Sequence, residues 1–247
     1  MHIEVIKTHR IQCSESINLI LDHYIPALEE RSILAISSKI ISISQGRVVA
    51  KSEHDKETLV RQEADAVIDS AYQNYGVYLT IKNNRLIPSA GIDESNGDGV
   101  YILYPRNIQE IAFSLWTYLR KKHAIEHLGI IITDSHVTPL RRGVIGIALG
   151  WCGFEALYSY IGKLDIYGQP LRVTQINLLD ALATSAVLMM GEGCEQTPLA
   201  LIRNAPKLNF LLRPPTPQEE QDISIPMHED LYAPLLMELW RTNKELE

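Results

Sequence analysis

Residues 106–133 constrain the fold more than any other stretch of the chain. From about 106 to 122 the apolar positions Ile108, Ile111, Ala112, Leu115, Trp116 and Leu119 fall at the i, i+3, i+4 spacing of an amphipathic helix. Such a helix carries an apolar stripe that something else must cover. The run LGIIIT at 128–133 follows at once and reads as a buried strand leading into a polar loop. A helix feeding directly into an apolar strand is the unit from which α/β layers are built.

The same alternation extends through most of the chain. Residues 2–7 alternate and read as a strand. Residues 14–30 read as a helix with apolar positions at Ile17, Ile20, Leu21, Tyr24 and Leu28, shortened or kinked by Pro26. Strands are expected at 33–37 and 40–49, a polar helix over 56–73, a strand at 76–82 and a turn-rich loop at 87–98. A strand at 99–103 precedes the helix already described. Further on, a helix is expected from about 173 to 189, with Ile176, Leu179, Ala183, Ala186 and Val187 on one face and Asp180 bordering it. The Pro-rich segment 213–219 is expected to be extended, ahead of a last helix near 229–242. The pattern predicts an α/β fold.

Charge and cysteine usage narrow the function. A formal charge of −7 and the lack of an extended basic stripe exclude sequence-independent nucleic-acid binding, which needs clustered Lys and Arg. Three scattered cysteines (Cys13, Cys152 and Cys194) do not make a disulfide framework and suit a reducing compartment. The start MHIEVIKTHR has no apolar core of a signal peptide, and the weakly polar run 143–153 is too short to span a bilayer. A cytoplasmic location without membrane partners is the expectation.

Three familiar signatures fail or weaken on inspection. GRVVAKS at 46–52 has Ala50 where a phosphate loop needs its second glycine. GVIGIALG at 143–150 has the wrong glycine spacing for a dinucleotide fingerprint. HAIEH at 123–127 matches the H-x-x-E-H zinc-peptidase pattern, in which two His one turn apart share a metal. Here it ends a charged helix, where His also suits the helix dipole.

Three acidic segments are more informative: Gly91–Asn96, Ile131–His136 and Met190–Glu195. Each places a carboxylate beside hydroxyl, amide or glycine residues, the hard oxygen donors that Mg²⁺ or Mn²⁺ prefers. The same residue types also make ordinary turns. Arg141 and Arg142 follow Asp134 closely and suit carboxylate or phosphate by their planar donors, or form an exposed basic loop.

Read in order, the stretches SSKIISISQGRVV (37–49), SAGIDESN (89–96), IITDSHVTPLRRGVIGIALG (131–150), DIYGQPLRVTQINLLDALATSAVLMMGEG (165–193) and PLALIR (198–203) resemble the coenzyme F420 γ-glutamyl ligase family. The resemblance implies one ligase module over 1–247, made of two interleaved α/β subdomains, and an entwined homodimer. It implies a ligase that uses GTP, or ATP, with Mg²⁺ or Mn²⁺ to join L-glutamate to a carboxylate acceptor through an acyl-phosphate. On this resemblance Asp93 and Asp134 match ligands of one metal, and Ser135 and Glu192 ligands of a second. Thr8, His9, Arg10, Ile11, Ser38, Lys39, Asn96, Met190, Gly191, Gly193, Cys194, Glu195, Gln196 and Thr197 match nucleotide contacts. Arg141 and Arg142 become candidates for the reacting anions.

Two departures stand out. Ile43 occupies the place of a nucleotide-binding lysine, and an apolar side chain cannot pair with phosphate. The loop 135–140 replaces an arginine before the proline and a tryptophan after it. Both changes are similar to a branch associated with folate metabolism, so the acceptor is expected to be folate-type or a deazaflavin, with His136 and Trp151 as candidate contacts. Two other readings compete: a zinc peptidase built on His123 and His127, and a GTP-binding regulatory protein without catalysis, motivated by Ile43.

Overall fold

A computed structural model describes residues 1–68 and 76–237. Its centre is a five-stranded mixed sheet in the order β1 (His2–Ile6), β12 (Leu199–Arg203), β2 (Ser32–Ser37), β8 (Leu128–Val137) and β9 (Val144–Cys152). Only β2 and β8 pair in parallel, with Ile33 opposite Gly129 and Ile36 opposite Ile132. The other neighbours are antiparallel.

Side-chain alternation along the inner strands divides two apolar layers. Leu34, Ile36, Ile130, Ile132, Leu199 and Leu201 face one side. There they pack on α1 (Ile17–Tyr24), α2 (Ser38–Ser44) and α4 (Ile108–His123). Ile33, Ala35, Ile131, Ala200 and Ile202 face the other, under α5 (Leu178–Met190). The expected stripe of α4 is the buried one: Ile108, Ala112, Leu115, Trp116 and Leu119 are buried, and Ile111 is half-buried against the same core. The α/β expectation therefore holds as mixed sheets covered by helices.

Smaller pieces attach to this centre. β3 (Val48–Ala50) pairs with β7 (Val100–Ile102), and β4 (Ala66–Ile68), β5 (Leu79–Lys82) and β6 (Arg85–Pro88) form a meander. Under α3 (Lys56–Glu63) they share a minor core of Leu59, Val60, Ala90, Ile92 and Leu103. β10 (Leu157–Ser159) pairs with β11 (Gln175–Asn177), and residues 160–174 loop out between them.

Several expectations are corrected. Residues 40–44 belong to α2, not to a strand, because Ile40 and Ile41 reach the core side by side while Ser38 and Ser42 are also buried. Packing of the whole element overrides the β-branched composition. The helix expected over 56–73 stops at Glu63, and 66–68 is a strand; residues 69–73 lie outside the described residues. The first helix ends at Tyr24, ahead of Pro26. The helix expected from 173 starts at Leu178, where the Asn177 side chain accepts from the Asp180 N–H at 2.9 Å. Pro217–Asp222 forms α6 with a Thr216–Glu219 capping box rather than an extended segment. Of the last expected helix, residues 233–237 are helical and 238–242 lie outside the described residues.

The glycine-rich run at 143–150 forms most of strand β9, sandwiched between two helices. A Cβ on Gly146 would lie 2.5 Å from the Ala183 carbonyl of α5, and one on Gly150 would lie 2.9 Å from Ile108 of α4. Those glycines let both helices close on the strand.

Candidate functional site

The polar end of β8 brings the acidic segments together. β8 does not give way to a loop after Thr133, as expected, but continues to Val137 with Asp134 opposite Ile147 and Ser135 opposite Gly146. Asp134 and Ser135 are thus fixed by a paired strand. Asp93 is anchored differently, exchanging two 2.9 Å backbone hydrogen bonds with Ile102. Glu192 follows directly on the α5 C-terminus, where Gly191 turns the chain at φ +80° and ψ 169°.

Hydrogen bonds tie these segments into one network. The Lys39 ammonium lies 2.7 Å from Asp93 Oδ2 and donates to Ser95 Oγ at 2.9 Å. Ser95 in turn donates to Asp93 Oδ1 through its N–H at 2.7 Å and its hydroxyl at 2.8 Å. Ser135 Oγ lies 2.8 Å from both carboxylate oxygens of Glu192. Asn96 Nδ2 donates to the Gly193 carbonyl at 3.0 Å, and Gly193 N–H to Glu195 Oε2 at 2.8 Å. The buried Thr8 donates its N–H to the Gln196 carbonyl at 2.9 Å, joining segment 8–11 to the loop. Thr197 Oγ1 closes that loop by donating to the Met190 carbonyl.

The two aspartates are poised differently. Burial pushes Asp93 up, but the Lys39 charge and the hydrogen bonds from Lys39 and Ser95 outweigh it and hold the carboxyl below the usual range. Burial is also the largest influence on Asp134, and the nearby Asp93 charge adds to it. Backbone donation from Ser135, the Ser38 hydroxyl and the Lys39 charge act the other way, yet Asp134 is pushed up to about 7. A cation beside both acids would favour the ionised form of each. The donor set of carboxylates and a hydroxyl is of the kind that hard divalent cations take. Among the described residues, however, no three His, Cys, Asp or Glu side chains are gathered tightly enough to hold an ion as they stand.

The remaining candidates scatter. Residues 191–196, Cys194 among them, form an exposed rim. His9 is held by the Tyr24 hydroxyl at 2.8 Å and Glu15 at 3.0 Å, with Arg10 exposed and Ile11 packed against the core beside it. Arg141 and Arg142 sit at the exposed tip of the β8–β9 hairpin and make no ion pair among the described residues. Ile43 lies in the last turn of α2, its carbonyl accepting from Ser14 N–H at 2.9 Å. Trp151 is only 4% exposed, and its indole donates to the Phe154 carbonyl at 3.1 Å, so its ring packs in the core. His136 is half-buried on β8, lowered by that burial while the Asp180 charge acts upward.

The zinc-peptidase geometry is absent. Helix α4 ends at His123, and Ala124 turns the chain into the left-handed region at φ 52°. His123 and His127 therefore do not lie one turn apart on a helix. His127 instead packs edge-on against Phe210 and lies 3.3 Å from Glu30.

Ser95 was visible in the acidic segment but carried no role there; a hydroxyl two residues after an aspartate is the signal that could have marked it.

Residues 5–204 match the family model described as F420-0:Gamma-glutamyl ligase. Among similar proteins, one from Methanopyrus kandleri is 29% identical over 71% of this chain and 76% of its own length. Another from Methanocaldococcus jannaschii is 30% identical over 72% of this chain and 77% of its own. A third from Archaeoglobus fulgidus is 31% identical over 71% of this chain and 76% of its own. All three carry the name coenzyme F420:L-glutamate ligase. With 200 matched positions running from β1 to just past β12, and with them all the linked acidic segments, the chain belongs to the F420-0:gamma-glutamyl ligase family of enzymes.

Proposed function

We propose that the chain joins L-glutamate to a carboxylate on a small-molecule acceptor, consuming GTP or ATP with Mg²⁺ or Mn²⁺. The observation that carries this reading is the Asp93–Asp134 pair, in which the half-buried Asp134 carboxyl is lifted to about 7, first by desolvation and further by the charge of Asp93. A carboxyl held back from ionising by burial and by a neighbouring acid suits a site that takes cations.

Asp93, Asp134, Ser135 and Glu192 would hold the ions, which when bound offset charge on a phosphoryl group in transfer. Lys39, already beside Asp93 and Ser95, supplies a mobile cation for the nucleotide phosphates. Ser38, Asn96, Thr8–Ile11 and the 190–197 loop are the further nucleotide contacts of this reading, supported by Asn96 holding that loop through the Gly193 carbonyl. An acceptor carboxylate oxygen takes the terminal phosphoryl group, releasing nucleoside diphosphate. The glutamate amine then attacks the acyl carbon, loses a proton, and inorganic phosphate leaves. Arg141 and Arg142, without an ion pair among the described residues, are suited by their chemistry to meet a substrate carboxylate.

The relatives are named for a deazaflavin coenzyme, and the departures at Ile43 and 135–140 keep a folate-type acceptor in the proposal. The reading also includes one module over 1–247 with two interleaved parts, supported by the separate minor core under α3. It includes a homodimer, supported by the exposed Leu164, Ile166, Tyr167 and Val173 on the arm 160–174. No helix among the described residues is long and apolar enough to cross a membrane. The reading is tested by nucleotide consumption: it must require acceptor and L-glutamate together, and turnover with neither present would overturn it.

A further inference from the structure

Residues 7–16 loop from β1 to α1, so side chains and neighbouring loops hold them in place. His9 is at the centre of those contacts. Tyr24, the last residue of α1, brings its hydroxyl 2.7 Å from the His9 backbone nitrogen and 2.8 Å from the ring Nδ1. Glu15 brings a carboxylate oxygen 3.0 Å from the ring Nε2, and the same oxygen accepts from the Gln12 N–H at 2.9 Å.

One set of proton positions satisfies every group. The Tyr24 oxygen accepts the His9 backbone N–H and donates its own proton to Nδ1. Nε2 then carries the ring proton and donates it to Glu15. The Gln12 N–H, ahead of the His9 ring, holds the Glu15 carboxyl below its ordinary range, so the acceptor there is a carboxylate.

These partners are themselves fixed. Tyr24 packs against the main core and stacks on the His9 ring, with 5.7 Å between centroids and 26° between planes. The Glu15 carbonyl accepts from Ser44 Oγ at 2.6 Å, and the Ser14 N–H donates to the Ile43 carbonyl at 2.9 Å, which ties the loop to the end of α2. One residue before His9, the buried Thr8 donates its N–H to the Gln196 carbonyl. His9 thus links two packed helices to the 191–197 loop through one neighbouring residue, while its side chain stays 45% exposed.

We propose that Tyr24 and Glu15 are positioning residues for nucleotide binding: by holding His9 they seat Thr8 against Gln196 and so set where the 191–197 loop meets the nucleotide. This rests on the ligase reading, which puts segment 8–11 and that loop at the nucleotide, and extends it to two residues outside both. A binding segment works best when neighbours lock its side chains, and three hydrogen bonds lock His9. Neither Tyr24 nor Glu15 needs to touch substrate, so losing either weakens nucleotide binding without changing the chemical step.

Amide exchange, nucleotide titration and kinetics of the full chain test the proposal. Tyr24→Phe keeps the ring and removes only the hydroxyl. Glu15→Ala removes the carboxylate, and Glu15→Gln restores an oxygen acceptor. In the chain without nucleotide, the Thr8 amide is expected to exchange severalfold faster in Tyr24→Phe and Glu15→Ala, although neither change touches its bond to Gln196. Affinity for GTP or ATP with Mg²⁺ is expected to fall roughly fivefold in each, as for loss of one hydrogen bond, and to recover largely in Glu15→Gln. Nucleotide KM should rise in step, with kcat and the KM for L-glutamate unchanged. Unchanged Thr8 exchange in both variants would overturn the proposal, as would faster exchange with unchanged nucleotide affinity, or a loss confined to kcat. A wild-type chain that binds no nucleotide overturns it together with the ligase reading. The expected shifts in a chain that binds nucleotide but forms no glutamyl adduct support it and remove only the ligase reading.

Discussion

The Lys39 ammonium sits 2.7 Å from Asp93 Oδ2, so the acid expected to bind metal is paired with the cation expected to bind phosphate. In the chain alone each satisfies the other. With nucleotide and divalent ion present, Lys39 would exchange the carboxylate for phosphate oxygens while the ion takes its place. Lys39→Ala is therefore expected to raise the nucleotide KM by roughly tenfold or more, as for loss of a charged contact. Because the pair is partly exposed, the loss of stability should stay under about 1 kcal/mol. Steady-state kinetics and denaturant melts check both parts, and unchanged nucleotide KM would remove Lys39 from the site.

Asp134 makes stability depend on pH. Its folded-state pKa, about 7, is raised from the ordinary 3.8, so the folded chain holds this proton more tightly than the unfolded chain. Its contribution is neutral below about pH 4, becomes unfavourable as pH rises through the window to about 7, and stays unfavourable above. Asp134→Asn should therefore melt at a higher temperature than wild type at pH 8, with the difference vanishing at pH 4. Mg²⁺ should stabilise wild type at pH 8 and leave the variant unmoved. Equal pH dependence of the two proteins would contradict this account of the carboxyl.

Gly191 holds the start of the 191–197 loop in a conformation that only glycine adopts readily. A Cβ there would also lie 2.6 Å from the Glu195 carboxyl carbon. Gly191→Ala is expected to cost about 1–3 kcal/mol and to impair nucleotide binding more than the fold. Adding Glu195→Ala should recover the part due to the clash and not the part due to backbone strain. Calorimetry of the single and double variants separates the two.

Arg141 and Arg142 make no ion pair among the described residues, so replacing both by alanine should leave stability within about 0.5 kcal/mol of wild type. A role at a substrate carboxylate predicts a fall in kcat/KM of roughly tenfold or more. Wild-type kinetics would take the pair out of the reaction.

The layered fold was legible wherever one element buried one clean stripe. Ile108, Leu115 and Leu119 announced α4, and the run at 128–133 announced β8, because packing and period agree there. Legibility failed where tertiary contacts decide. Ile40 and Ile41 look like strand residues but serve as the buried face of a short helix. Gly146 and Gly150, whose spacing fits no dinucleotide fingerprint, find their reason only in α5 and α4 pressing on either side of β9. The acidic residues could be named individually, but their convergence depends on β8 continuing past Thr133 and on Asp93 pairing with Ile102.

The most direct measurement is mass spectrometry of products formed with isotope-labelled L-glutamate, GTP or ATP, Mg²⁺ or Mn²⁺, and a panel of deazaflavin and folate acceptors. The account predicts an acceptor heavier by one labelled glutamyl residue, formed by wild type and abolished in Asp134→Asn. Nucleotide hydrolysed without any adduct, or an adduct formed equally well by Asp134→Asn, would contradict it.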